Sequence, residues 1–548
     1  MQKINIMISI LFFVTLLIII LIKKYKKIEL KQIDINDFLK NNRNKIICIV
    51  FIILLICISR IYEFGRIPYA IGVDEAASEY DSYCIANFGV YRYLNSYPLY
   101  LINFGGGQSV LYAYLNVLLI KILGTNTLLI SRMPALIMFL LSIFFSYKLV
   151  NKKQDNKTAI LLAFMITICP WHIIHSRFGL DCNLLGAMFI LDLFILENAK
   201  KNYQYVLAGI SIGLTLYTYC LSYIIMPVFL LVWTIYKLYT KSIKIKQILI
   251  IAVVTLIFAL PLFYLILVNT GLVQDTHLAI FTIPKLLEFR TKEISILNIF
   301  ATGLESIKGV LLTHNSIYIL QVPFFIIGIY KGIKSTLLSI KTRKYCFCAF
   351  MTLTFFSILI PNLFVCFNSI NKGNILFIPI LYFVVMGMLE ILKNKKILWQ
   401  ILIGTYLILF TLFEIEYYTE FGVKENCAYE DFSITEVMQY IEDTGKIKED
   451  VYFFIKNKSE PYIYVLFKNK ISPYEFDKTK VYEQLKIKGR TINHLKQFSN
   501  YHFLDTDSIE EYSDKRTYIV DKQLEIVINI LEQAGYKKEE YKQYYIFI

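Results

Sequence analysis

The amino-acid sequence predicts a polytopic α-helical membrane protein of about 12 transmembrane helices, ending in a water-soluble α/β domain. Three observations carry this. Hydrophobic residues make up 56% of the 548 and charged residues only 18%, whereas about a quarter of an ordinary soluble chain is charged. The apolar residues come in blocks of about 18–22, the length that crosses a hydrocarbon core of about 30 Å at 1.5 Å per residue. Short lysine-rich segments separate the blocks, and from about residue 420 the pattern turns polar and mixed. Buried helices of a soluble core rarely produce more than one or two such blocks.

The blocks lie near 4–22, 46–63, 128–149, 158–174, 183–197, 205–222, 224–240, 248–268, 315–330, 346–366, 375–392 and 397–418. The first is followed by Lys23, Lys24, Lys26 and Lys27 and has no small-residue cleavage motif, so it reads as a retained helix. A further stretch, 110–123, is shorter and carries Tyr112, Tyr114 and Asn116. If it lies in the interface, the lysine-rich segments 23–45, 148–157, 237–246, 331–344 and 393–396 all fall on one side, as the positive-inside rule requires. If it spans, the first of these lies opposite the rest. The first choice places 64–127, 175–182, 269–314, 367–374 and the tail outside the cell.

The expected organisation is therefore an extra membrane helix and basic loop over 1–45, a membrane domain over 46–419 whose first external loop covers about 64–127, and an extracytoplasmic α/β domain over 420–548. In that tail Val451–Ile455 and Tyr462–Phe467 read as strands, Gln523–Gly535 as an amphipathic helix and Tyr544–Ile548 as a last strand.

The formal charge of +15 does not imply a nucleic-acid partner, because the lysines cluster beside the hydrophobic blocks, where retention on the cytoplasmic side and anionic lipid account for them. The ten cysteines are scattered, and Cys346 and Cys348 stand too close together and too isolated for a metal site. The bias to isoleucine, lysine and asparagine suggests an AT-rich bacterial genome.

Three polar clusters fall in the external segments. The first holds Asp74 and Glu75, followed by Glu79, Asp81, Arg92 and Tyr93. Adjacent carboxylates at the membrane surface suit a general base, Asp74, acting on an acceptor hydroxyl, with Glu75 in support. The same pair could help hold a divalent cation, Mg or Mn, or could simply be a solvated acidic face. The second cluster is His172, His175, Ser176, Arg177 and Asp181. Arg177 and Asp181 are spaced i, i+4 and could pair, or Arg177 could offer its planar fork to a phosphate. The histidines read as interfacial side chains before ligands. The third runs Asn368-Ser369-Ile370-Asn371-Lys372-Gly373-Asn374, where Lys372 is a positive charge on the external side, a phosphate contact or a snorkelling lysine. Tyr217, Tyr219 and Tyr223 fit a phosphate contact or, more simply, an aromatic belt.

Taken in order, Asp74-Glu75, Tyr80-Asp81, Gly89, Pro98-Leu99-Tyr100, Gly105-Gly106-Gly107-Gln108, Tyr112, Gly124 and Arg132 resemble the start of the GT-C membrane glycosyltransferases. The branch comprises the protein O-mannosyltransferases and the bacterial aminoarabinose transferases. Pro170-Trp171-His172 with Ser176-Arg177 and Asp181, and Asn371-Lys372 leading into Pro379, resemble the same family, although many relatives carry arginine at the place of Lys372. The likeness covers about residues 46–420.

The resemblance implies a polyprenyl-phosphate-linked sugar donor, transfer on the outer face of the membrane, and a catalytic aspartate from the first external loop, matching Asp74. It implies a second acid facing the cavity, matching Asp181, and positive charge for the phosphate leaving group from Arg92, Arg177 or Lys372, with Tyr219 beside them. A single base in line with the anomeric carbon favours inversion. The expected function is an inverting glycosyltransferase acting on a cell-surface glycan, lipid or protein. A polysaccharide polymerase or ligase would show an arginine-rich large external loop, and 269–314 holds only Arg290. A transporter or flippase would place charge deep inside helices, where Asp192 is the exception.

Overall fold

The computed structural model describes residues 2–26, 41–104, 106–274, 276–278, 281–287, 305, 307–313, 316–365, 370–393, 395–423, 430–431, 433–455, 460–487, 490–504 and 516–548. Most of the first basic loop, much of 269–314, and Asn368 and Ser369 lie outside the described residues. Packing divides the chain into two compact units, Met1–Phe64 with Arg132–Leu260 and Thr291–Thr419, and Gly65–Ser131 with Pro261–Arg290 and Glu420–Ile548.

The first unit is helical. Its elements are α1 (Gln2–Lys26), α2 (Asn42–Ile56, continued by a wider turn Cys57–Ile61), and, after the segment of the second unit that carries α3 (Val73–Phe88) and α4 (Leu111–Leu123), α5 (Leu128–Lys153), α6 (Asn156–Thr167), α7 (Pro170–His175), α8 (Cys182–Asn198), α9 (Asn202–Thr215), α10 (Ser222–Tyr239), α11 (Ile245–Asn269), α12 (Gln321–Thr342), α13 (Phe347–Phe364), α14 (Phe377–Leu392) and α15 (Lys396–Glu416). Among the described residues nine helices are long and apolar enough to cross a membrane. The chain is a multi-pass membrane protein. The other three expected spans fall on α6, α8 and α9, of 12, 17 and 14 residues. The span expected over 158–174 is broken. Pro170 has no N–H to continue the ladder, and the Trp171 N–H leaves it for the Ser316 carbonyl at 3.0 Å. The lysine-rich segment at 331–344 is mostly not a loop either, since α12 runs through it to Thr342, with Lys331 paired to Glu390 across the surface at 2.8 Å.

Without a hydrophobic drive between lipid-bathed helices, close packing decides which ones associate. The crossing of α12 and α14 is built on two glycines. A Cβ at Gly328 would stand 1.8 Å from the Phe383 carbonyl oxygen, and one at Gly387 1.9 Å from that of Phe324. Only hydrogen fits at either place.

In the second unit α3 (Val73–Phe88) follows a two-residue strand β1 (Ile71–Gly72), and the hairpin β2 (Tyr100–Asn103) and β3 (Gly106–Ser109) leads into α4 (Leu111–Leu123). A further short hairpin pairs β4 (His277–Leu278) with β5 (Phe281–Thr282). Gly124 stops α4 at φ 67°. Thirteen residues give about 20 Å, too short to span. Tyr112, Ala113, Asn116 and Ile120 are buried on one face while Leu118 and Ile122 are exposed on the other. That is the form of a helix lying in an interface.

The tail contributes β6 (Glu430–Asp431), α16 (Ser433–Asp443), β7 (Asp450–Phe454), α17 (Tyr462–Asn469), α18 (Pro473–Thr479), β8 (Val481–Ile487), β9 (Arg490–Phe498), β10 (Tyr501–Leu504), β11 (Arg516–Asp521), α19 (Glu525–Gln533), β12 (Lys538–Tyr541) and β13 (Tyr544–Phe547). A seven-stranded sheet runs β12-β13-β11-β7-β10-β9-β8, with β7 parallel to β10 and β11 and the other pairs antiparallel. Alternation sends Val451 and Phe453 to one face and Phe454 to the other, where α19 covers it with Val527 and Leu531. Tyr462–Phe467, expected as a strand, is helix α17. A short apolar run has no decisive period, and here five successive residues, Tyr462 to Leu466, are buried in the same core.

That core takes in α3 as well. Ile71, Val73, Ala76, Ala77, Tyr80 and Cys84 pack with Ile434, Val437, Ile463, Val465 and Phe503. Strand β1 pairs with β6, Tyr464 donates its hydroxyl to the Ile71 carbonyl at 3.2 Å, and Tyr80 donates to that of Ile471 at 2.8 Å. The tail is thus the floor on which the acidic helix rests.

Candidate functional site

The acidic pair sits where its charge is favoured. Gly72 is the N-cap of α3, so Asp74 and Glu75 occupy the first turn, beside backbone N–H groups that have no partner within the helix. Successive residues on a helix diverge by about 100°. Asp74 is exposed, while Glu75 is fully buried and so faces the interior. Asp81, two turns further on, is also fully buried.

The hairpin β2–β3 brings a fourth polar residue to this helix. Asn103 ends β2 and donates from Nδ2 to Asp74 Oδ1 at 2.8 Å. Its Oδ1 accepts from Arg92 Nη2, also at 2.8 Å, and the same Nη2 donates to the Ile102 carbonyl at 3.2 Å. Arg92 Nε lies 3.3 Å from Asp81 Oδ1, and the guanidinium sits over the rings of Tyr93 and Phe104. Burial pushes the Asp81 carboxyl up, to about 6, with Arg92 opposing the rise, and Asp81 in turn holds Arg92 protonated. The order Asp81–Arg92–Asn103–Asp74 is a continuous polar chain that ends on the exposed carboxylate. The glycine run shapes the hairpin, for a Cβ at Gly107 would lie 2.0 Å from the Tyr100 ring. Glu460, from the tail, is nearly buried, and burial raises its carboxyl to about 7, again with Arg92 opposing.

The second and third clusters lie in the first unit. Arg177 is fully buried and reaches the C-terminal end of α2, donating to the carbonyls of Ser59 at 3.2 Å and of Tyr62 and Glu63 at 2.9 Å, and to the Tyr418 hydroxyl at 3.2 Å. His172 bridges Arg60 Nη2 at 2.9 Å and Ser142 Oγ at 3.0 Å, and His175 meets Asn183 Oδ1 at 2.8 Å. Both are internal packing partners. Asp181 is the N-cap of α8 and accepts from the Cys182 N–H at 2.7 Å. Asn374 donates to the Cys182 carbonyl at 2.9 Å and to Asn183 at 3.2 Å, so the turn that carries Lys372 is tied to the start of α8. Lys372 and Tyr219 are half-buried. Asp192 accepts from Ser211 and from Thr215 Oγ1, the latter at 2.7 Å, which anchors α8 to α9.

The donor set does not fit a divalent cation at Asp74 and Glu75. The two carboxylates diverge, and among the described residues no group of three or more His, Cys, Asp and Glu could hold a metal ion. Sequence reasoning singled out the acids and Arg92 but missed Asn103, Arg60, Glu414 and Glu460. A hairpin was legible in the run from Tyr100 to Gln108, and its last strand position was the available pointer to Asn103. Arg60 and Glu414 sit at the ends of apolar blocks, where a charge reads as ordinary flanking polarity, yet both are buried.

No family model matches the chain, and no curated protein matches it in sequence. Its structure is similar to solved ones. The crystal structure of ArnT from Cupriavidus metallidurans bound to undecaprenyl phosphate aligns at TM-score 0.55 and 10% identity, covering 91% of this chain and 97% of that one. The apo structure of the same protein aligns at 0.56 and 11%, with the same coverage. The Archaeoglobus fulgidus oligosaccharyltransferase, tethered to an acceptor peptide, aligns at 0.47 and 13%, covering 80% of this chain and 64% of that one. The two ArnT alignments show a shared fold, the GT-C fold with a C-terminal sheet domain.

Proposed function

We propose that this GT-C protein is an inverting glycosyltransferase that moves a hexosyl or pentosyl group from a polyprenyl-phosphate donor to a cell-envelope acceptor, a glycan, lipid or protein. The observation that carries the reading is Asp74, an exposed carboxylate at a helix N-terminus, fixed by a hydrogen bond from Asn103. A base must be ionised, accessible and held still, and these are the conditions that placement supplies. The fold is that of a protein crystallised with undecaprenyl phosphate, which supports a lipid carrier of the same chemistry here.

In the reaction Asp74 takes the proton of the acceptor hydroxyl as that oxygen attacks the anomeric carbon. The bond from that carbon to the phosphate oxygen breaks on the opposite face, and the phosphate departs with the electron pair. The leaving group needs positive charge more than a proton. Lys372 and Tyr219, half-buried, are the contacts assigned to it, with Arg177 adding fixed positive charge and Asp181 holding the start of α8. Glu75, adjacent in sequence and buried, is assigned the supporting role. The lysine bias puts the tail and the acidic helix on the extracytoplasmic side of the cell membrane.

The test is transfer in membranes containing the protein, with a panel of radiolabelled polyprenyl-phosphate sugars and Asp74→Asn beside wild type. Movement of one sugar onto an endogenous acceptor by wild type alone supports the reading and names the donor. No movement with any donor, or equal movement by the variant, removes Asp74 as the base.

A further inference from the structure

We infer that Asn103 is a positioning residue for Asp74: its side-chain amide, itself aimed by Arg92, holds the Asp74 carboxylate ionised and in one orientation. The inference rests on the proposed transferase reading and assigns that site a second residue. Its basis is geometric. Asn103 is buried, and both ends of its amide are engaged, Oδ1 receiving Arg92 Nη2 and Nδ2 donating to Asp74 Oδ1, each at 2.8 Å. The opposite flip would set amide hydrogens against guanidinium hydrogens and an oxygen against a carboxylate. Arg92 therefore selects the orientation that offers Asp74 a donor. Arg92 is itself fixed by Asp81, by the Ile102 carbonyl and by the rings of Tyr93 and Phe104. A donor to the ionised form of a carboxylate favours that form.

The groups around the chain set what a variant would do. From α3 come Glu75 and Asp81, from the following loop Arg92 and Tyr93, and from the tail Glu460, Tyr462 and Tyr482, which act on Arg92 electrostatically. Arg92 is a cation among them, and its guanidinium is joined to Asp74 by the Asn103 amide. Three variants separate positioning from mere support. Asn103→Ala removes the donor to Asp74 and the acceptor for Arg92. Asn103→Asp keeps an acceptor for Arg92 but sets a carboxylate against Asp74. Arg92→Lys keeps a charge beside Asp81 but loses the fork that orients the amide.

The measurement needs no donor. Full-length protein in proteoliposomes is labelled with a water-soluble carbodiimide across a pH series, and Asp74 is read by mass spectrometry against exposed Glu525 as the internal reference for the reagent. The midpoint for Asp74 should rise by roughly one pH unit in Asn103→Ala, further in Asn103→Asp, and less in Arg92→Lys. Wild-type midpoints in Asn103→Asp would mean that supporting Arg92 is all that Asn103 does, which overturns the inference. An unmoved midpoint in Asn103→Ala overturns it directly. Should the alanine variant fail to insert, the other two decide. Loss of transfer in Asp74→Asn with full transfer in Asn103→Ala at every pH sinks the positioning role alone, whereas transfer by Asp74→Asn sinks the transferase reading.

Discussion

Arg177 holds the Glu63 carbonyl oxygen through Nη2 at 2.9 Å, and with it the C-terminal end of α2. A helix end leaves carbonyls without partners, and a buried cation is a strong partner for them. The same Nη2 serves the Tyr62 carbonyl, and Nη1 serves that of Ser59.

Arg177→Ala should therefore lose stability as well as any activity, by about 3 kcal/mol, because three carbonyls lose a charged donor in a buried place. Arg177→Lys should recover only part of it, since a point charge cannot bridge both branches of the fork. Thermal unfolding of the detergent-solubilised protein checks this. A variant that melts like wild type and is merely inactive would make Arg177 a ligand contact rather than a clasp.

Gly328→Leu should fail to give a folded protein, and Gly387→Leu should behave alike. Either side chain would have to occupy the place of a backbone carbonyl on the facing helix. Size-exclusion profiles of the solubilised variants, with Gly404→Leu as a control whose Cβ would meet open space, read the difference.

Stability of the wild-type protein should fall as pH rises from about 4.5 to about 7. Glu460 has its carboxyl raised by burial to about 7, so the folded state binds this proton more tightly than the unfolded one. A raised acid stabilises fully below its unfolded value, and that contribution is lost on passing through the folded value. Asp81, raised to about 6, acts in the same direction. Glu460→Gln should flatten the slope and melt higher than wild type at pH 8, by at most on the order of 3 kcal/mol. A steeper slope in the variant would refute the assignment.

Asp192→Asn should transfer sugar as wild type does. The carboxylate sits between the hydroxyls of Ser211 and Thr215, and an amide oxygen can still accept from one of them. A transporter that used this charge would lose function instead. Transfer assays in membranes settle which outcome holds.

Local sequence determined the features that depend on composition and short-range period. Hydrophobic block length marked the nine long apolar helices among the described residues, although α12 runs on to Thr342 where a loop was expected. The apolar run Val451–Ile455 marked β7, observed over Asp450–Phe454, and the apolar stripe followed by Gly535 marked α19. The length of 110–123, with its tyrosines and asparagine, set α4 apart from the spans. The acids at Asp74 and Glu75 were visible because carboxylates stand out beside an apolar block. Tertiary structure decided the rest, because each remaining question turned on a partner distant in the chain. Tyr462–Asn469 is a helix since α3 and α16 offer it a surface to bury, the Tyr464 hydroxyl meeting the Ile71 carbonyl just before α3 across 393 positions of sequence. Of the two adjacent acids, the folded chain buries Glu75 and leaves Asp74 exposed. The residue that holds Asp74 lies 29 positions later, at the end of a hairpin strand. A hydrogen bond between side chains has no signature in local periodicity, so only the folded chain shows Arg92, Asn103 and Asp74 joined.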